Sequence, residues 1–241
     1  MATYDRLRRM AEALYRIPYS LLKAMARVSF AAAKEEARPA LTFVHGCGHR
    51  GRHYVLATDG YRLAAQPVEE APVGALAPAR LVARLMRVVS VSPDEDLIAG
   101  VLEEEGMALI HMGEVQIRLS VDPVQNYDWG KYLTPPSSAA VLRIHREILE
   151  DLLRRARDES RWQMEETVTF LSGTHAQGPA TAFNPRFLEE ALRASLQEAG
   201  EGGETVRLLL PKTEEQPAYL WLEGQEMMHV IMPLRWKPQD L

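Results

Sequence analysis

Apolar positions recur at helical spacing in four stretches of the chain. Over residues 19–34, Leu21, Leu22, Met25, Val28 and Ala32 fall on one face, which predicts a helix. A second helix is predicted over 78–90, with Pro78 near its start, where a missing N–H costs nothing. A third spans 145–160, with Ile148, Leu149, Leu152, Leu153 and Ala156 on one apolar face. The fourth spans 184–198, with Asn184 placed to cap it and Pro185 in its first turn.

The segments between them read as strands and turns. Short apolar runs at 40–46 and 53–58 flank a glycine-rich hairpin turn, and Asp59-Gly60 marks a second tight turn. Residues 67–78 read as a loop. Strands are predicted over 97–102, 107–113, 114–121 and 162–173, and again within 204–211, 217–224 and 226–236. The stretch 122–138, with Pro123, Pro135 and Pro136 and little periodicity, is the best boundary. On either side of it the order is helix, strands, helix, strands. That repetition implies a duplicated α+β unit, each copy pairing antiparallel sheets with two helices.

Composition narrows the class. The 241 residues are 46% hydrophobic and 25% charged, room for one large domain or two modest ones. No apolar run approaches the ~18 residues that a membrane span needs, and no membrane partner is expected. The first sixteen residues are too charged for a signal peptide's apolar core. Cys47 is the only cysteine, so no internal disulfide is available, and a reducing cytoplasm is the expected location. The net charge of −5 argues against a plain DNA-coating protein but not against a basic surface on an acidic body.

Candidate chemistry is sparse. His45, Cys47, His49 and His53 supply N and S donors for a zinc ion, but at a spacing that matches no common zinc motif. Asp94-Glu95-Asp96 and Glu103-Glu104-Glu105 are acidic runs in predicted turns, where solvation is the usual explanation. There is no nucleophile elbow and no phosphate-cradling glycine loop. Neither catalysis nor a cofactor is expected. Cationic stripes are more informative. Arg80, Arg84 and Arg87 lie opposite Leu81, Leu85 and Val88, and Lys23 pairs with Arg27 at i, i+4. Arg154, Arg157 and Arg161 form a third stripe. Arg186 and Arg193 form a fourth, interrupted by Glu189 and Glu190.

Five stretches resemble one family, in its order. LATDGYRLA (56–64) resembles the most characteristic motif of the bacterial sliding clamp, the beta subunit of the replicative DNA polymerase, and HVIMPLRW (229–236) resembles that family's C-terminus. VSFAAAKEEARPALTF (28–43) is similar to a helix-to-strand passage of the clamp's middle domain. NYDWGKYLTP (126–135) is similar to the bridge into the last domain, and FNPRFLEEAL (183–192) to that domain's second helix. The resemblance implies a clamp-like middle domain over 1–125, a bridge over 126–138 and a clamp-like last domain over 139–241, with nothing matching the family's first domain.

A clamp's function follows from geometry rather than reactivity. The resemblance implies a DNA polymerase processivity factor that encircles duplex DNA without reading sequence. Two domains per chain imply a homotrimeric ring, closed head to tail. Its hole is lined by diffuse positive charge, which the four stripes would supply. It also implies a groove between the domains where polymerase, clamp loader and repair proteins insert short linear peptides. Matching groove residues are Leu41, Thr58, Gly60, Tyr61, Arg62 and Leu63, then Pro135 from the bridge, and Val230, Met232, Pro233, Leu234 and Arg235 from the end. Gly60 suits a tight turn, Met232 and Leu234 suit adaptable apolar walls, and Arg62 and Arg235 suit peptide carbonyls or a carboxylate. Tyr61 stands where the family usually has His, so a different peptide preference is expected. The last five residues, Lys237 to Leu241, read as a frayed terminus. The alternative is a module that keeps the groove without encircling DNA and competes for clamp partners.

Overall fold

A computed structural model describes residues 15–34, 38–89, 97–102, 107–112, 115–120, 127–136, 140–159, 168–171, 180–196, 204–210 and 216–233. The chain is α+β and forms two compact units. One comprises residues 1–60 and 65–131, the other 61–64 and 132–241.

The first unit opens with β1 (Tyr15–Ile17) and α1 (Tyr19–Val28). Then come β2 (Phe43–His49), β3 (Arg52–Thr58), β4 (Arg62–Val68), whose first three residues belong to the second unit, β5 (Gly74–Pro78) and α2 (Ala79–Val89). It closes with β6 (Leu97–Leu102), β7 (Met107–Met112) and β8 (Val115–Ser120). One sheet has the order β1-β6-β7-β8, and β5-β2-β3-β4 run side by side in another. Leu22, Met25 and Val28 of α1 are buried with Val55 of β3 and Val82 and Leu85 of α2, where α1 packs on both neighbours.

Three boundaries differ from the sequence expectation. Helix α1 stops at Val28, and the chain tightens into a 3-10 turn over Ser29–Ala31, with the Ser29 hydroxyl donating to the Ala26 carbonyl at 2.7 Å. Strand β2 runs through Gly46 and Gly48 to His49, so the hairpin turn is only Arg50-Gly51, at φ +50° and +74°. Gly46 serves close packing rather than turning, because a Cβ there would strike the Pro72 carbonyl. Residues 67–78, expected as a loop, contain the end of β4 and all of β5. Pro78 is tolerated because β5 is the outer strand beside β2.

The second unit contains β9 (Ala140–His145), α3 (Arg146–Glu159), β10 (Val168–Leu171) and β11 (Ala180–Phe183). It continues with α4 (Pro185–Leu196), β12 (Thr205–Leu210), β13 (Ala218–Leu222) and β14 (Met228–Ile231). Strands β14-β13-β12-β9 lie in that order, all antiparallel, with β9 outermost, and β10 and β11 form a separate pair. Asn184 caps α4, its side-chain oxygen accepting the Arg186 N–H at 2.9 Å. The core gathers Leu149 and Leu153 of α3, Phe183 of β11, Leu188 and Leu192 of α4, and Val206, Leu208, Leu220, Leu222 and Ile231 of the sheet. The face predicted for α3 divides. Leu149 and Leu153 enter the core, whereas Ile148 is 58% and Leu152 42% exposed.

Candidate functional site

The residues expected to dock a peptide fall in both units. In the first, Leu41 and Thr58 are buried at the Asp59-Gly60 turn. The Thr58 hydroxyl accepts the Gly60 N–H at 3.0 Å, and Gly60 has φ +91°, the left-handed region where a side chain is strained. A Cβ on Gly60 would also lie 3.2 Å from the Arg38 guanidinium.

In the second unit, Tyr61–Ala64 lies beside the end of β14, where the Met232 N–H donates to the Tyr61 carbonyl at 2.8 Å. Tyr61 is 64% exposed, while Leu63, Val230 and Pro233 are buried and Met232 and Pro135 are half-buried. Leu234 and Arg235 lie outside the described residues.

Arg62 has a different setting from the one its sequence position suggests. It is buried, and its guanidinium stands 4.6 Å from the Phe187 ring centroid. Its Nη1 donates to the carboxylate of Glu190 on α4. Arg186 bonds the same carboxylate through Nε at 2.8 Å. Partial burial pushes the Glu190 pKa up. The hydrogen bonds and charges of Arg186 and Arg62 outweigh it and hold the carboxyl below its ordinary value. Arg62 is thus turned into its own domain. Glu190, which appears in the sequence only as an interruption in a cationic stripe, is its anchor.

The DNA-facing candidates divide similarly. Lys23, Arg80 and Arg84 are exposed on α1 and α2. Arg27 does not extend an exposed stripe with Lys23. It is 9% exposed, and its Nη1 donates to the Gln66 side-chain carbonyl at 2.9 Å, because that turn of α1 is packed against the domain. On α3 and α4, Arg154 pairs with Asp151, Arg193 with Glu189 at 2.9 Å, and Arg186 with Glu190. The side chains of Arg87 and Arg157, and all of Arg161, lie outside the described residues.

The His/Cys loop does not converge. Cross-strand partners share a sheet face, and His53 is opposite Gly48, so it lies on the other face from His45, Cys47 and His49. His45 is buried, its Nε2 2.6 Å from the Ala40 carbonyl and its ring 5.3 Å from Trp129. Burial lowers the His45 pKa, against the smaller upward pull of that backbone bond. Burial raises the Cys47 pKa, aided by Asp128, so the thiol is no ready nucleophile. Among the described residues, no three His, Cys, Asp or Glu side chains gather as metal ligands. The acidic runs at 94–96 and 103–105 lie outside the described residues. One Ser–His contact was not anticipated from the sequence. Ser195 Oγ and His229 Nε2 are 2.9 Å apart, but both side chains are buried, and the pair ties α4 to β14. Among the described residues no helix is long and apolar enough to cross a membrane.

This architecture is the sliding-clamp fold of the bacterial replicative polymerase's beta subunit. The DNA polymerase III subunit beta of Pseudomonas aeruginosa is 18% identical, with a TM-score of 0.67 over 92% of this chain and 66% of that one. The Bartonella birtlesii sliding clamp, solved with griselimycin bound, is 19% identical, with a TM-score of 0.70 over 93% of this chain and 66% of that one. The Thermotoga maritima beta subunit is 18% identical, with a TM-score of 0.68 and the same two coverages. At these identities the likeness is one of fold, and the chain spans about two thirds of each clamp. No protein-family model and no curated protein matches the sequence.

Proposed function

We propose that this chain is a non-enzymatic sliding-clamp subunit, three copies of which close around duplex DNA in the cytoplasm and tether a polymerase. The observation that carries the reading is the clamp fold, which extends over more than nine tenths of the chain. A clamp needs copies joined end to end, and the second unit supports this. Its outermost strand β9 has one edge without a strand partner among the described residues, beside the exposed Ile148 and Leu152 of α3. An open edge flanked by apolar side chains suits pairing with another chain. Positive charge on helices suits a duplex held through phosphates without base readout, which lets DNA slide. Polymerase, loader and repair partners dock as short peptides on the second unit, where Tyr61 is exposed, Leu63 and Val230 are buried, and the Met232 N–H bonds the Tyr61 carbonyl. The griselimycin-bound Bartonella clamp shows that a relative of this fold accepts a ligand.

Solution mass and DNA retention test the proposal together. A trimer retained on nicked circular DNA, and lost when that DNA is linearised, is the expected result. A stable monomer that binds clamp-type peptides but is not retained on DNA would replace the ring with a competitor of clamp partners.

A further inference from the structure

Helix α4 is tied by polar contacts to both strand ends that flank the docking surface. The Glu190 carboxylate accepts from Arg62 at the start of β4. Five positions on, about 7.5 Å along the helix axis, Ser195 Oγ is 2.9 Å from His229 Nε2 of β14. Among the described residues six polar or charged side chains are buried, and three of them, Arg62, Ser195 and His229, make these two contacts. Successive side chains of a strand alternate between its faces. With Arg62 and His229 turned to α4, Leu63 and Val230 point to the opposite face. Next to them Tyr61 is exposed and Met232 half-buried, and the Met232 N–H joins the two ends by donating to the Tyr61 carbonyl at 2.8 Å. Leucines alone would not fix these ends. Apolar packing is non-directional, so a strand held only by it can slide over the helix. A buried hydrogen bond or ion pair has one geometry, and a displaced partner is left desolvated. The two contacts therefore fix the position of each strand end on α4.

We propose that Glu190 and Ser195 are positioning residues of the peptide site: acting through Arg62 and His229, they set the spacing of Tyr61 and Met232 that a docking peptide meets, without touching the peptide themselves. This rests on the docking reading of the second unit and names what holds that surface in shape. Arg62 then serves the site by its place on α4, with its charge given to Glu190 rather than to a peptide carboxylate.

The test is binding of the full chain to a fluorescein-labelled Ala-Leu-Ser-Leu-Phe peptide by anisotropy, with amide hydrogen exchange at Met232 as a second readout. Ser195→Ala and Glu190→Gln are each expected to weaken binding by about threefold to tenfold, the worth of one hydrogen bond. Both are expected to speed exchange of the Met232 amide, whose acceptor is the Tyr61 carbonyl. His229→Gln keeps a polar atom within reach of Ser195 and is expected to retain more of the affinity than His229→Leu. Leu149→Ala is the control for stability. It hollows the core of the same unit from α3, and is expected to lower the urea midpoint while leaving peptide affinity and Met232 exchange as they were. Circular dichroism confirms that the variants fold. If Leu149→Ala loses as much affinity as the α4 variants, or if the α4 variants bind as the unaltered chain does, α4 does not position the site, while the docking reading stands. If the unaltered chain does not bind the peptide, both are wrong.

Discussion

Arg62 and Glu190 are 128 positions apart in the chain and form an ion pair in which Arg62 is 8% and Glu190 24% exposed. The pair fixes the start of β4 to the middle of α4, with Phe187 against the guanidinium. Removing one partner of a buried pair leaves the other desolvated, at a cost of about 3–5 kcal/mol when both are fully buried. Glu190 keeps some solvent and a second partner in Arg186. Glu190→Gln is therefore expected to cost less, on the order of 2 kcal/mol, and Arg62→Ala somewhat more. Arg186→Ala, at an exposed position, is expected to cost under about 1 kcal/mol. Urea unfolding curves measure all three. The pH dependence has a definite sign. A carboxyl whose folded pKa is depressed stabilises the fold above its unfolded value and loses that contribution as pH falls through the folded pKa. Glu190→Gln is expected to flatten the loss of stability below about pH 4.3, the ordinary Glu value.

Much of this was legible from spacing alone. The four helices stand where apolar periodicity places them, and β6 spans the predicted residues 97–102. Local pattern was insufficient where a distant neighbour decides the outcome. Gly46 and Gly48 look like turn residues, yet both are paired in the ladder to β3, and Gly46 also meets β5 and the Pro72 carbonyl. The apolar face of α3 reads as one stripe, but helical periodicity cannot say how wide a face the core will cover, so Ile148 and Leu152 remain outside. Arg62 reads as a ligand contact because its partner is 128 positions away. The family resemblance placed the turn around Gly60 and the end of β14 among the important segments, but it carried no information on which side chains are already engaged internally.

His45 gives the first unit its own pH response. The ring is buried against Trp129, with its Nε2–H donating to the Ala40 carbonyl. Burial lowers its pKa in the folded state, so the unfolded chain binds the proton more readily. Stability is therefore fully present above about pH 6.5, the ordinary His value, and declines as pH falls toward the folded pKa. Urea midpoints measured at pH 5.5 and 7.5 are expected to differ, the lower pH being less stable. His45→Gln, which does not titrate, is expected to lower stability at both and remove most of that difference. An equal difference in the variant would assign the response to another group.

Under the proposed function, Met232 separates peptide docking from folding. Its backbone N–H bonds the Tyr61 carbonyl, a contact that alanine at 232 preserves, while the Met232 side chain is half-buried. Met232→Ala together with Leu234→Ala is therefore expected to leave the fold and solution mass unchanged. Affinity for a clamp-binding peptide is expected to fall by more than tenfold, the ordinary loss when central apolar anchors are truncated. Fluorescence anisotropy of a labelled peptide reads the affinity. Undiminished binding would move the docking site elsewhere.

Assembly is the step on which a ring depends, and α3 offers the sharpest handle on it. Ile148 and Leu152 are one helical turn apart, 58% and 42% exposed, beside the outermost strand β9. Leu149 and Leu153, one position along, are buried in the core. The two pairs are chemically alike and differ in what covers them. Charged residues at 148 and 152 cost a folded monomer little, since both side chains already meet water. In an assembled ring each would have to be desolvated without a partner, at several kcal/mol per charge. Ile148→Lys with Leu152→Lys is therefore expected to convert the proposed trimer to a monomer by light scattering, with circular dichroism and the urea midpoint of the monomer retained. The same change at Leu149 and Leu153 is expected to unfold the second unit instead. If the 148/152 variant keeps the oligomeric mass of the unaltered protein, the contact between copies is formed by another surface, and β9 with α3 would be an outer face of the proposed ring.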